Sequence, residues 1–313
     1  MTPATPARRT STATTTTPET TDHPGPLVGV EWLSDHLRDP DLRIVHVAPN
    51  RRVFNRRHIP GAVYSDLHRE IALRGTAPET GDAEREWLIP SPDQVADVLR
   101  RWGVGDGDRI VFYDDVGMNR QAIRGYWLLS LYRYPPDRLH VLDGGIKAWS
   151  RAGLETTRDE PTSTRAEGRR PPTLGERDDS ILATYEDVLA WSRESSRSDD
   201  APTRILDVRT ANEWVGTDLR ARRGGHIPGA RHRCFVDLLT DEGTFRPVDE
   251  MLSLIRASGA EPGQIRATYC QGGVRAALVW FVLHELAGYD QVRSYAGSWE
   301  EWGNRPDSPI ERP

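Results

Sequence analysis

The segment Cys270-Gln271-Gly272-Gly273-Val274-Arg275 carries the side chains best suited to chemistry in this chain. It follows the run Ala267-Thr268-Tyr269 and precedes a long apolar stretch, so it reads as a loop leading from a strand into a helix. Two consecutive glycines open backbone conformations closed to other residues and let successive N–H groups face one point, a nest for negative charge. A free cysteine of pKa about 8.5 is only a few per cent thiolate at neutral pH, and a fall of ~2 units, worth ~2.7 kcal/mol, ionises most of it. Oriented amides, a helix N-terminus and the Arg275 cation are together able to supply that fall. A nucleophilic thiolate is expected at the mouth of a surface loop, and a thiol shut away from solvent with amides facing elsewhere would contradict this. A lone cysteine is more commonly a small buried hydrophobe. For Cys270 the place after a strand, the Gly-Gly step and the neighbouring cation outweigh that reading. Cys234, set among Arg231, His232, Arg233 and Phe235, has no such loop and is given no catalytic role.

The elements around this loop repeat. His58-Ile59-Pro60-Gly61-Ala62 recurs as His226-Ile227-Pro228-Gly229-Ala230, 168 residues later (226 − 58). Leu142-Asp143-Gly144-Gly145-Ile146-Lys147-Ala148-Trp149 is echoed by Tyr295-Ala296-Gly297-Ser298-Trp299-Glu300-Glu301-Trp302, offset by 153 (302 − 149). Strands are expected at 42–47, 109–113 and 139–142, with helices at 91–101 and 120–133, and again at 204–208, 267–269 and 291–295, with helices near 184–194, 248–257 and 275–287. Strands alternating with helices predict two α/β domains, each a mainly parallel sheet flanked by helices. A length of 313 residues fits two domains of ordinary size. They are placed at 27–157 and 181–311, joined by a polar linker at 158–180, after a Thr/Pro-rich tail at 1–26 too poor in apolar residues to order itself.

Each His-Ile-Pro-Gly-Ala most simply fixes a turn, proline setting φ and glycine supplying a permissive conformation. Trp149, Trp299 and Trp302 read as packing residues. The net charge of −6 (41 − 47) leaves no basic surface for nucleic acid. No run approaches the ~18 apolar residues of a membrane span. Two cysteines and no recognisable histidine ligand pair predict no disulfide framework, no metal and a reducing, cytoplasmic setting.

The duplicated His-Ile-Pro-Gly-Ala, the strand end Asp207-Val208-Arg209 and the Cys270 loop together resemble the two-domain rhodaneses, which are thiosulfate or 3-mercaptopyruvate sulfurtransferases. The resemblance spans about 27–311. It implies two tandem rhodanese-like domains, of which the first is catalytically silent: Tyr113-Asp114 stands there where Tyr269-Cys270 stands in the second, and a carboxylate cannot carry sulfane sulfur. It further implies double displacement through a Cys270 persulfide, with no cofactor. A small-molecule sulfur donor and a thiol, cyanide or protein-thiol acceptor would be the partners. Gln271, Gly272, Gly273, Val274, Arg275 and Arg209 are the candidate substrate-binding residues.

Departures from the family bear on the donor. Thiosulfate enzymes of the long-studied type place Arg and Lys directly after the cysteine and mercaptopyruvate enzymes Gly and Ser, whereas this chain has Gln271 and Gly272. Glu213 stands where thiosulfate enzymes offer another arginine. Arg275, with Gln271 donating hydrogen bonds, is expected to compensate, which favours thiosulfate or a related sulfane donor. Arg209 has a rival reading as a structural partner of Asp207 or Glu213. A cysteine phosphatase is a further alternative, but such enzymes enclose five residues between Cys and Arg, and Cys270 and Arg275 enclose four. A non-turnover persulfide carrier or redox sensor is the other.

Overall fold

The computed structural model describes residues 24–76, 84–116, 118–160, 170, 172–198 and 200–312. The expected tail therefore lies outside the described residues up to position 23, and the expected linker is described only in part.

The first half runs β1 (Leu27–Val28), α1 (Val30–His36), β2 (Leu42–Ala48), α2 (Arg51–Arg56), β3 (Val63–Asp66), β4 (Leu73–Thr76), β5 (Glu84–Leu88), α3 (Pro92–Arg101), β6 (Arg109–Asp114), α4 (Arg120–Leu131), β7 (Leu139–Leu142) and α5 (Gly145–Arg151). Its main sheet has the order β1-β7-β6-β2-β3, every pair parallel. All seven residues of β2 are buried, as a strand covered on both faces requires. Ser91 and Gln94 form a reciprocal cap at the start of α3, with Pro92 in its first turn, which is why that boundary was readable.

The second half runs α6 (Tyr185–Ser195), β8 (Ile205–Asp207), α7 (Ala211–Trp214), β9 (Arg231–His232), α8 (Val248–Arg256), β10 (Ala267–Tyr269), α9 (Val274–Phe281), β11 (Arg293–Ser294) and α10 (Ser298–Trp302). Its strands order β11-β10-β8-β9, again all parallel. The architecture is the expected pair of α/β units. The single helix expected over 275–287 is instead α9 followed by a π-helical turn at Val282–Leu286. All eight residues of α9 are buried, because β10 covers one side and α4 of the first half another. Tyr126 of α4 meets Phe281 edge-on with centroids 5.0 Å apart, and its hydroxyl donates to Glu285 at 2.8 Å. One apolar core thus runs through both halves, which explains a helix apolar around its whole circumference.

The two His-Ile-Pro-Gly-Ala segments are turns. Ala62 N–H donates to Ile59 O at 3.0 Å and Ala230 N–H to Ile227 O at 3.1 Å, with Gly61 and Gly229 at φ +81° and +73°. Each is tied to the end of a central strand: the N–H of Ile59 donates to the Tyr113 hydroxyl and that of Ile227 to the Tyr269 hydroxyl. The turns therefore brace the positions just before Asp114 and Cys270.

Candidate active site

Cys270 sits at the carboxyl end of β10, where the chain turns into α9. Gly273 takes φ +86°, a left-handed conformation that side chains rarely adopt, and this turns its N–H onto Cys270 Sγ at 3.1 Å. The first N–H groups of α9 have no acceptor within the helix and add positive potential at the same end. Cys270's own N–H points away and donates to Ser298 Oγ at 3.1 Å, while that hydroxyl donates to Tyr295 O at 2.8 Å. Trp299 N–H donates to Cys270 O and Glu300 N–H to Gln271 O, so the start of α10 clamps the loop from behind.

Ser298 was not singled out from the sequence, although the repeat pointed to it: it lies 153 residues after Gly145. Both residues have positive φ, +55° for Gly145 and +52° for Ser298. In the first half a Cβ on Gly145 would lie 2.5 Å from Asp114 O, so the clamp there demands glycine. Asp114 itself is buried and accepts the N–H of Gln121 at 3.0 Å; burial pushes its carboxyl up to about 6.

The open mouth expected for the loop is not found. Cys270 is 1% exposed. The β4–β5 hairpin of the first half, which sequence reasoning missed, lies against the loop. Trp87 of β5 packs so closely on Gly272 that a Cβ there would lie 1.8 Å from the Trp87 ring. Glu86 N–H donates to Glu300 Oε1 at 3.0 Å and Arg85 Nε lies 3.6 Å from Glu300 Oε2, which pins the hairpin to α10. A cavity of about 380 Å³ lies alongside, lined by Trp87, Tyr185, Tyr295, Ala296 and Glu301 among others. The thiol is shut from solvent, yet with an amide directed at its sulfur.

The charged residues are arranged differently from the expectation. Arg275 does not compensate for Glu213 but pairs with it, Nη1 to Oε2 at 2.6 Å and Nη2 to Oε1 at 2.8 Å. Burial pushes Glu213 up, but the two-pronged Arg275 contact, the Arg275 charge and the Thr210 N–H outweigh it and hold the carboxyl at about 2. Arg209 is likewise committed: it grips Asp207 through Nε and Nη2, gives Nη2 also to Gly225 O, and stacks 4.5 Å over Trp299. Its structural reading is the one the geometry carries. Gln271 directs its amide nitrogen to Arg220 O at 2.8 Å rather than towards the thiol. Val274 is 8% exposed and opens α9.

A further residue, from the other half, lies against the loop. Arg124 of α4 is fully buried, stacks 4.4 Å over Trp127, and has a guanidinium nitrogen 3.3 Å from the Cβ position of Gly273. Its one sequence signal is a charge inside the apolar run Ala122 to Leu129. Cys234 is partly buried, and burial raises its thiol pKa, against a nucleophilic role. Among the described residues no group of three or more His, Cys, Asp or Glu side chains could hold a metal ion, and no helix is long and apolar enough to cross a membrane.

The family model for the rhodanese-like domain matches residues 29–152 and again 192–305. The chain belongs to the rhodanese family. This rhodanese is 32% identical over 297 residues to the thiosulfate sulfurtransferase of Corynebacterium glutamicum, spanning 92% of this chain and 91% of the relative. It is 30% identical over 299 residues to the sulfur carrier protein TtuD of Thermus thermophilus, spanning 92% and 97%. Its fold matches the anaerobic ergothioneine biosynthesis enzyme from Chlorobium limicola with a TM-score of 0.73 at 23% identity, over 92% of this chain and 70% of that one. Two rhodanese-like domains of α/β fold are thus present, each a mainly parallel sheet flanked by helices.

Proposed function

We propose that this rhodanese moves sulfane sulfur from thiosulfate or a related donor to a thiol or cyanide acceptor through a persulfide on Cys270. The observation that carries the reading is the Gly273 N–H held 3.1 Å from Cys270 Sγ at the start of α9. A preset donor at that point favours anionic sulfur on the free enzyme and on the persulfide alike. In the first half-reaction the thiolate attacks the outer sulfur of thiosulfate. A new S–S bond forms, the donor's S–S bond breaks, and its electron pair leaves on sulfite. In the second half-reaction the acceptor attacks the outer sulfur and the thiolate is regenerated. No proton or outside redox agent enters the balance, so no cofactor is required.

Position 272 does not choose between thiosulfate and 3-mercaptopyruvate: the resemblance gives thiosulfate enzymes a lysine there and mercaptopyruvate enzymes a serine, and this chain has neither. A side chain at Gly272 has no room beneath Trp87. We place the protein in the reducing cytoplasm, with a small-molecule donor, and with a protein thiol as one class of acceptor. A non-turnover carrier that delivers its sulfur to a protein partner is the second reading, favoured by the closure of Cys270 at 1% exposure.

Steady-state release of sulfite and thiocyanate from thiosulfate and cyanide, compared with 3-mercaptopyruvate as donor, tests the reading. Turnover with thiosulfate that Cys270→Ser abolishes, with the fold intact, is expected. Sulfur on Cys270 without turnover would favour the carrier. Full activity in Cys270→Ser would refute both.

A further inference from the structure

Arg124 presents an unusual electrostatic situation. All three of its side-chain nitrogens are buried without a hydrogen-bond acceptor among the described residues. Burial pulls its pKa down to about 10, opposed by the Cys270 charge, so the guanidinium stays ionised at neutral pH. An unpaired buried cation is costly to fold around and calls for an anion at its open side. That side is the Cys270 loop: Gly273, whose Cβ position lies 3.3 Å from Arg124 Nη1, is the residue whose N–H contacts Sγ. The other charged groups around the loop are matched. Arg275 holds Glu213, Arg209 holds Asp207, and Arg85 lies against Glu300.

We propose that Arg124, from the half without a nucleophile, is the cation that receives the anionic end of the sulfur donor and then the outer sulfur of the Cys270 persulfide. The proposal rests on the persulfide reading above and deepens it: the donor class is an oxyanion-bearing sulfane compound, and its site is assembled from both domains. The transfer is thiolate plus thiosulfate giving persulfide plus sulfite, so total charge is unchanged while an anion meets a dianion. A cation at the meeting point offsets that repulsion without itself exchanging a proton. It also gives the silent domain a part in the chemistry, since α4 packs on α9 and carries Arg124 to the loop.

Arg124→Gln and Arg124→Lys test this, read by kcat and KM for thiosulfate, by the pH profile of iodoacetamide alkylation mapped to Cys270, and by thermal melting. Losing one charge-assisted contact lowers kcat/KM about 10- to 100-fold. Arg124→Gln is expected to show that loss mainly in KM, with the alkylation profile moved to higher pH and Tm unchanged or raised. Arg124→Lys is expected to recover much of both. A KM and alkylation profile like wild type in Arg124→Gln would overturn the proposal, as would equal loss of activity and Tm in both variants, the mark of a packing role. The alkylation profile needs no donor. Wild-type protein inert to thiosulfate would therefore sink the proposed function while the Arg124 arm is still read.

Discussion

Replacing Glu213 by glutamine keeps the shape of the side chain and removes the charge that Arg275 grips. Glu213 is 1% exposed, and its carboxyl is held at about 2 against an ordinary 4.5. A depression of ~2.5 units at 1.36 kcal/mol each makes the ionised pair worth ~3 kcal/mol at pH 7. The folded pKa lies below the unfolded one, so this stability is present in full above about pH 4.5 and is lost as pH falls towards 2. Urea unfolding at pH 7 should find Glu213→Gln ~3 kcal/mol less stable than wild type, and at pH 3.5 the gap should narrow by roughly a third to a half. A second readout follows from the same geometry. With its counter-ion gone, Arg275 acts undiminished on Cys270, whose charge already raises the Arg275 pKa, so the alkylation profile of the thiol should move to lower pH. A stability gap equal at both pH values, or absent at pH 7, would refute the reasoning.

Trp87→Ala removes the ring that lies on Gly272 and joins the thiol to the neighbouring cavity. Cys270 should then be modified by a thiol reagent at least about tenfold faster, since ~1.4 kcal/mol off the opening free energy suffices; an unchanged rate would show that the hairpin does not cover the thiol. Asp114→Asn tests the matching loop of the first half. Burial raises the Asp114 carboxyl from 3.8 to about 6, so in the wild type stability falls as pH rises through that window. The variant should lose this slope and gain up to ~3 kcal/mol at pH 7, less any weakening of the Gln121 contact; melting at pH 4 and pH 7 in both proteins decides it.

Three strands of each main sheet, β2, β6 and β7 in the first and β8, β10 and β11 in the second, were legible because buried parallel strands are short apolar runs bounded by turn residues, as at Ile110 to Tyr113 and Ile205 to Asp207, whereas the short strands β1, β3 and β9 were not. The cysteine loop was legible because left-handed backbone needs glycine, and Gly272-Gly273 after a strand is an uncommon expense of two unbranched positions unless a turn or a close approach requires them. What the sequence did not disclose depends on which residues meet. Glu213 and Arg275 are 62 positions apart, and nothing local said that the cation meant for a donor would be matched by a carboxylate. The hairpin of β4 and β5 carries Glu84-Arg85-Glu86, whose charges hide the alternation of a strand, and its place against the loop arises only when it docks on α10. Arg124 is a charge in an apolar helix that sequence reasoning passed over, because its counterpart lies in the other domain.

Mass spectrometry of the protein after brief exposure to thiosulfate, with the modified residue mapped by peptide and sulfite counted in parallel, goes most directly to the heart of the account. It should find one added sulfur atom on Cys270, none on Cys234, and one sulfite released per sulfur bound. A protein of unchanged mass, or one whose extra sulfur sits on Cys234, would contradict it.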